Sequence, residues 1–168
     1  MTNEDKTTKS APMTKPLSGI PLPDLDLVPE FERGFWEGTQ EHELRIQECT
    51  ACKKMRHLPT PMCPYCHSLT HQWTKVSGRG TVYANLIVRR PNHPSLQQQV
   101  PYNITLVELE EQDGDIRLIS NILNIEQEDI YIGMPVHVVF IAADDNPNVI
   151  LPVFVPVSYT HLTLPTKA

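Results

Sequence analysis

The chain has 168 residues, a formal net charge of −6, 40% hydrophobic residues and 16 prolines. This length suits one domain, or one domain with a small appendage, and is sufficient to bury a core. No apolar run approaches the roughly 20 residues that cross a bilayer, and the N-terminus lacks the apolar segment of a secretory signal, so the sequence predicts a soluble, cytoplasmic protein.

The first quarter of the chain changes character near residue 28. Residues 1–27 are polar, then proline-rich, without periodicity, and predict a disordered arm. Apolar residues at helical spacing then predict a short helix over 29–40, interrupted near Gly34 or Gly38. A strand at about 44–48 follows it.

All four cysteines lie within 18 residues, in the spacing C-x2-C-x10-C-x2-C. Each C-x-x-C pair forms a knuckle that offers two thiolates, and two knuckles complete a tetrahedron around one ion. Such a site has no open position for water or substrate, so its metal is structural. The sequence therefore predicts one zinc ion per chain, held by Cys49, Cys52, Cys63 and Cys66.

Iron is the competing metal, because rubredoxins use similar paired knuckles. Those knuckles commonly carry glycine after the second cysteine of each pair, whereas Lys53 and His67 stand there in this sequence. This departure favours zinc over iron. We interpret His67 as a surface residue, since four thiolates already complete the site.

Residues 77–156 carry the alternating pattern of a β-domain. We expect Val82, Ala84, Leu86 and Val88 to share one face of the first strand, and Gly114 to supply a positive φ in a hairpin turn. Five strands within about 80 residues favour a small barrel of the OB type. The predicted fold class is mainly β: a short helix and a rubredoxin-like ribbon over 28–76, followed by a five-stranded OB-fold over 77–156.

The last residues, 157–168, do not continue this pattern. They resemble translated read-through of a sequencing adapter, and we expect no function from them.

Charge is unevenly distributed. Residues 41–90 contain eight Lys/Arg and three Asp/Glu, a net of +5, while residues 101–150 contain one Lys/Arg and ten Asp/Glu, a net of −9. The first region is suited to anions and the second repels polyanions.

Several segments together resemble the DUF35 family, proteins with a rubredoxin-like zinc ribbon followed by an OB-fold. They are FWEG (35–38), CTAC (49–52), CPYCHS (63–68), SGRGTVYA (77–84), PYNITLVELE (101–110) and GMPVHVVF (133–140). The resemblance covers about residues 28–145. It implies a non-catalytic accessory subunit of an acyl-CoA-metabolising enzyme, most often thiolase-like and in some members a hydratase or aldolase. It also implies a role in stabilising that enzyme complex and in holding a CoA thioester.

The residues agree with a role outside catalysis. The four cysteines are committed to metal, and the histidines form no Ser/His/Asp or HExxH arrangement. Basic side chains supply candidate contacts to the phosphates of CoA: Lys53, Lys54, Arg56, Arg79, Arg89 and Arg90. Phe35 and Trp36 cannot both face one small core, so one of them is a candidate for a partner interface.

Two other functions remain open at this point. Zinc ribbons and OB-folds also bind single-stranded nucleic acid, with Tyr65, Tyr83 and Tyr102 as stacking candidates. A sequence pI of about 5.6 makes nucleic acid an unfavoured partner. The second alternative is an electron-transfer protein with iron in the cysteine site, which would be red and redox-active.

Overall fold

The computed structural model describes residues 9–157 and contains one α-helix and eight β-strands in two sheets. Within this part of the chain, no helix has the length and apolarity that crossing a membrane requires. The elements in chain order are α1 (Glu30–Gln40), β1 (Arg45–Cys49), β2 (Met55–Arg56), β3 (His71–Lys75), β4 (Arg79–Val88), β5 (Tyr102–Leu109), β6 (Arg117–Ser120), β7 (Pro135–Ala142) and β8 (Ile150–Pro156). Apart from Val157, the predicted tail lies outside the described residues.

Helix α1 is continuous, so the predicted interruption at Gly34 or Gly38 is wrong. Both glycines are buried and instead allow close packing. A Cβ on Gly34 would overlap the indole ring of Trp73, which comes from β3. The missing side chain therefore lets the helix lie directly on the ribbon sheet.

Substituting Gly34 with alanine should destabilise the protein by about 1–3 kcal/mol, because a rigid indole ring must move to accept the new methyl group. An exposed helical Gly→Ala change normally does the opposite, stabilising by about 0.5–1 kcal/mol. Urea unfolding followed by circular dichroism measures the difference. Glu37→Ala on the exposed face of the helix is the control, and a Gly34→Ala variant more stable than wild type would contradict the tight contact.

The smaller sheet has the order β2-β1-β3 and is antiparallel. We call it, with its connecting loops, the ribbon. Leu44 and Ile46 are almost fully buried and join the ribbon to the main hydrophobic core. The ribbon and the second sheet therefore share one core.

The larger sheet has the order β6-β5-β4-β7-β8, with all neighbours antiparallel. It curls until Ile122, just after β6, forms a parallel bridge with Phe154 of β8. This is the curled five-stranded sheet of an OB-fold, as predicted, and the hairpin glycine Gly114 has the expected positive φ of 83°. The predicted domain boundaries at residues 28, 77 and 156 stay predictions.

The predicted single face of β4 is wrong beyond its midpoint. The pairing of β4 with β5 shifts between Val82 and Ala84, where a β-bulge adds one residue. A bulge reverses the alternation of side chains along the strand. Val82 is therefore buried, whereas Leu86 is 60% exposed.

The described part of the N-terminal arm, residues 9–27, has no helix or strand but lies against the larger sheet. Lys9 and Lys15 form ion pairs with Asp129 and Asp144. The cations of the arm therefore meet acidic residues of the loops around residues 126–145. The prediction of a disordered arm over residues 1–27 stays a prediction.

Candidate metal centre and adjoining groove

The two cysteine pairs form matching knuckles. In the first knuckle, the N–H of Lys53 donates to the carbonyl oxygen of Cys49 at 2.9 Å. In the second, the N–H of His67 donates to the carbonyl oxygen of Cys63, also at 2.9 Å. Lys53 and His67 have φ values of 62° and 60°, the left-handed region that glycine adopts at least cost. The absence of glycine there adds strain without changing the knuckle, so it does not distinguish zinc from iron.

The knuckles bring the four predicted ligands together. All four sulfur atoms lie within 4.8 Å of one another, with Cys49 Sγ 3.5 Å from Cys66 Sγ and Cys52 Sγ 3.6 Å from Cys63 Sγ. Tetrahedral bonds of about 2.3 Å to zinc separate sulfur atoms by about 3.8 Å. The donor set therefore fits a closed, structural metal site.

Within this close set of sulfur atoms, the pKa values of Cys49 and Cys66 are shifted in opposite directions. Backbone N–H groups of Cys52 and Ala51 lower the pKa of Cys49 to about 6. The N–H of Ser68 acts in the same direction on Cys66, but desolvation and the neighbouring sulfurs outweigh it and raise the pKa of Cys66 to about 12. Four thiolates at this spacing repel one another, and a bound cation is what makes the fully ionised set stable.

The six basic residues predicted to contact CoA do not form one cluster. Lys53 and Lys54 are exposed and adjacent at the first knuckle, with Lys54 Nζ 4.5 Å from the centre of the Tyr65 ring. Arg79 and Arg89 lie at opposite ends of β4, and each pairs with a glutamate.

Arg56 is buried and differs from the other basic residues. Its Nε donates to Thr60 Oγ1 at 2.9 Å, while its Nη1 has no hydrogen-bond partner among the described residues. Arg90 is exposed at the far end of β4. Contact of any of the six with CoA stays a prediction, and the adjacent pair Lys53 and Lys54 is the most compact part of the set.

The predicted stacking set for nucleic acid is not assembled. Tyr102 is 4% exposed, and the guanidinium of Arg117 covers the ring of Tyr83 at 4.0 Å. Tyr65 is exposed but has Lys54 over its ring.

The two aromatic residues of α1 have different surroundings. Phe35 is 8% exposed and belongs to the core, while Trp36 is half-buried and packs edge-on against it with 5.2 Å between ring centres. Trp36 therefore is the one of the pair that faces the surface.

Trp36 lines an apolar groove of about 280 Å³ between the helix, the ribbon and the edge of the larger sheet. We call this the groove; its walls are Pro16, Leu17, Ile20, Phe35, Trp36, His57, Leu58, Leu118, Ile119, Ser120, Asn121, Leu151, Pro152 and Val153. Burial lowers the pKa of His57 to about 4, so this side chain is neutral at pH 7 and adds no charge.

Sequence reasoning missed the groove. Leu58 and Ile119 are apolar residues at its rim, 75% and 76% exposed, and they come from the loop after β2 and from β6. No local pattern in the sequence joins these two residues, and their exposure is visible only in the structure.

Comparisons with known proteins agree with this architecture. A family model described as the ChsH2 rubredoxin-like zinc ribbon domain matches residues 36–72, and one described as the ChsH2 C-terminal OB-fold domain matches residues 73–140. Together they cover most of the chain.

Among proteins of similar sequence, a probable enoyl-CoA hydratase alpha subunit of Thermomonospora curvata is 40% identical over 126 residues, covering 74% of this chain and 37% of that protein. The chain thus spans little more than a third of this relative. A DUF35 domain-containing scaffold protein of Methanocaldococcus jannaschii is 34% identical over 93 residues, covering 55% of this chain and 63% of the scaffold protein.

Among solved structures, one described as Ltp2-ChsH2(DUF35) aldolase contains a chain that is 37% identical to this one. The match covers 77% of this chain and 97% of that chain, with a TM-score of 0.68. The two family models and the match to a DUF35 structure show that the chain belongs to the DUF35 family.

Proposed function

We propose that this chain is a non-catalytic accessory subunit of an enzyme of acyl-CoA metabolism. The observation that carries the proposal is the match over 97% of a DUF35 chain whose structure is described as an aldolase with Ltp2. The names of the hydratase alpha subunit and the scaffold protein support the same role. A closed four-sulfur site, which offers no position to substrate, also supports a role outside catalysis.

The metal in our proposal is one structural zinc ion, held by the four cysteines. It would fix the two knuckles relative to β1 and so position the loop 57–60 beside the groove. Purified protein should be colourless and contain one zinc per chain by elemental analysis. Red protein with one iron per chain would overturn this assignment.

The partner favoured by the family resemblance is a thiolase-like enzyme. Co-expression of the tagged chain with the acyl-CoA enzymes encoded beside its gene, followed by affinity capture and mass spectrometry, tests the role. We expect stoichiometric capture of one such enzyme and a gain in its solubility or activity. Capture of a hydratase or an aldolase would change the partner class, while an enzyme unaffected by the chain would refute the accessory role.

The groove is our candidate site for the acyl part of a CoA thioester. Its lining is apolar, and its volume of about 280 Å³ lies near the lower end of the range for small-molecule sites. The chain runs from the exposed Lys53 and Lys54 through β2 directly to His57 and Leu58 of the groove. A thioester with its acyl chain in the groove could therefore direct its phosphates toward these lysines.

Trp36→Ala should weaken binding of an eight-carbon acyl-CoA about tenfold, because an indole that lines an apolar site contributes about 1.4 kcal/mol or more. Isothermal titration calorimetry measures the change, and free CoA should be insensitive to it. Tyr131→Ala, which removes an exposed aromatic ring outside the groove, is the control. Equal losses in both variants would exclude the groove as the acyl site.

A further inference from the structure

Residues 9–20 form a strap that contacts loops of the larger sheet and completes one wall of the groove. The matched family models begin at residue 36, so the strap precedes the region they describe. Its contacts fall into two polar clamps with apolar residues beside them.

The first clamp joins the start of the strap to the segment after β6. Lys9 Nζ lies 2.7 Å from Asp129 Oδ1, and the N–H and hydroxyl of Ser10 donate to the Glu128 carboxylate at 2.8 and 2.6 Å. Arg89 donates to the same carboxylate at 2.7 Å. These donors, first of all those of Ser10, lower the pKa of Glu128 to about 2.

The second clamp holds the other end of the strap. Lys15 forms an ion pair with Asp144, between β7 and β8. Three hydrogen bonds join Ser18 and Gln99. The N–H and the hydroxyl of Ser18 donate to Gln99 Oε1 at 3.0 and 3.3 Å, and Gln99 Nε2 donates to the carbonyl of Ser18 at 2.9 Å. Two points of attachment therefore fix the position of the residues between and beside them.

The apolar residues of the strap face the groove. Pro16 is buried, and Leu17 and Ile20 are half-buried. All three line the groove together with Trp36 and Leu58 of the opposite side. Because the side chains of Leu17 and Ile20 occupy space that the groove would otherwise include, they limit its volume.

We propose that Leu17 and Ile20 determine the length of acyl chain that the groove accepts. This inference rests on the proposed binding of a CoA thioester in the groove. Truncating a side chain in a packed apolar wall leaves space that the surroundings fill only in part. The strap is clamped by polar contacts at both ends, so its backbone holds its place when these two side chains are shortened.

The test uses the full chain and straight-chain acyl-CoAs from two to sixteen carbons, with affinity measured by isothermal titration calorimetry. Wild type should reach its tightest binding at one chain length. The double variant Leu17→Ala/Ile20→Ala should move that optimum to chains at least two carbons longer, with about a tenfold gain there and unchanged affinity for acetyl-CoA. Leu27→Ala, an exposed leucine of the arm outside the groove, is the matched control.

Leu17→Trp enlarges a side chain of the groove wall instead of shortening it. It provides a second test that does not depend on the folding of the double variant. Adding volume to the wall should move the optimum to shorter chains. An optimum that stays at one length in wild type and both variants would overturn the role of the strap while leaving thioester binding intact. Wild-type protein that binds no acyl-CoA of any length would overturn the strap inference together with the thioester site.

Discussion

Replacing Cys63 with alanine is expected to abolish metal binding and to unfold the ribbon. Cys63 is fully buried and supplies one of four sulfur atoms that lie within 4.8 Å of one another. Structural zinc contributes roughly 10–16 kcal/mol in small zinc-binding peptides, and the two- and five-residue strands of the ribbon cannot replace that energy. Elemental analysis should find almost no zinc in this variant, whereas we expect about one zinc ion per wild-type chain.

Hydrogen exchange followed by mass spectrometry locates the damage. Amides of β1 and β3 should lose protection, while those of β4 and β5 keep it at a reduced level, because the ribbon and the larger sheet share one core. His67→Ala is the control: this exposed side chain lies next to Cys66 but is not among the four ligands, and its loss should leave the metal content unchanged. A Cys63→Ala protein with full metal content and a protected ribbon would show that the cluster is not the metal site.

The four-cysteine cluster was predictable because its members are close together in the chain. Each knuckle comprises a few consecutive residues, and the spacing of the cysteines alone specifies two such knuckles. The same locality made the hairpin at Gly114 predictable, since the positive φ is a property of one turn. Where the chemistry depends on short segments, residue type and spacing carry most of the information.

The strap and the groove depend on contacts between distant residues. Lys9 and Asp129 are 120 positions apart, and the groove combines residues of the arm, the helix, the ribbon and both edge strands of the larger sheet. The uneven distribution of charge was visible in the sequence. Its consequence, an arm whose cations bind the acidic region, required the topology that brings the two together.

Two incorrect predictions have a common physical origin, which is that contact with a second element overrides the local sequence pattern. Glycine in a helix pattern predicts an interruption, yet Gly34 serves the approach of Trp73. Strict alternation predicts one face for β4, yet the bulge after Val82 turns Leu86 outward. Neither feature has a signature in the residues alone, because packing against another element decides each of them.

The second large effect is expected at the closure of the OB-fold sheet, where Phe154→Ala should destabilise the protein by about 3–5 kcal/mol. Phe154 is fully buried in the main core. Its backbone also joins β8 to the end of β6: the N–H of Leu123 donates to its carbonyl at 2.8 Å, and its own N–H donates to the carbonyl of Asn121 at 3.0 Å. A loss of this size is a large share of the 5–15 kcal/mol that stabilises an ordinary domain.

Urea unfolding at a fixed zinc concentration measures this loss, with circular dichroism for the sheet and tryptophan fluorescence for the helix and ribbon. Val155→Ala is the matched control, because this neighbouring residue is only half-buried and should cost much less. Both probes should report the Phe154→Ala loss together, since residues of α1, the ribbon and β8 belong to one core cluster. A loss visible only by circular dichroism would mean that the ribbon is stabilised by its metal independently of the closed sheet.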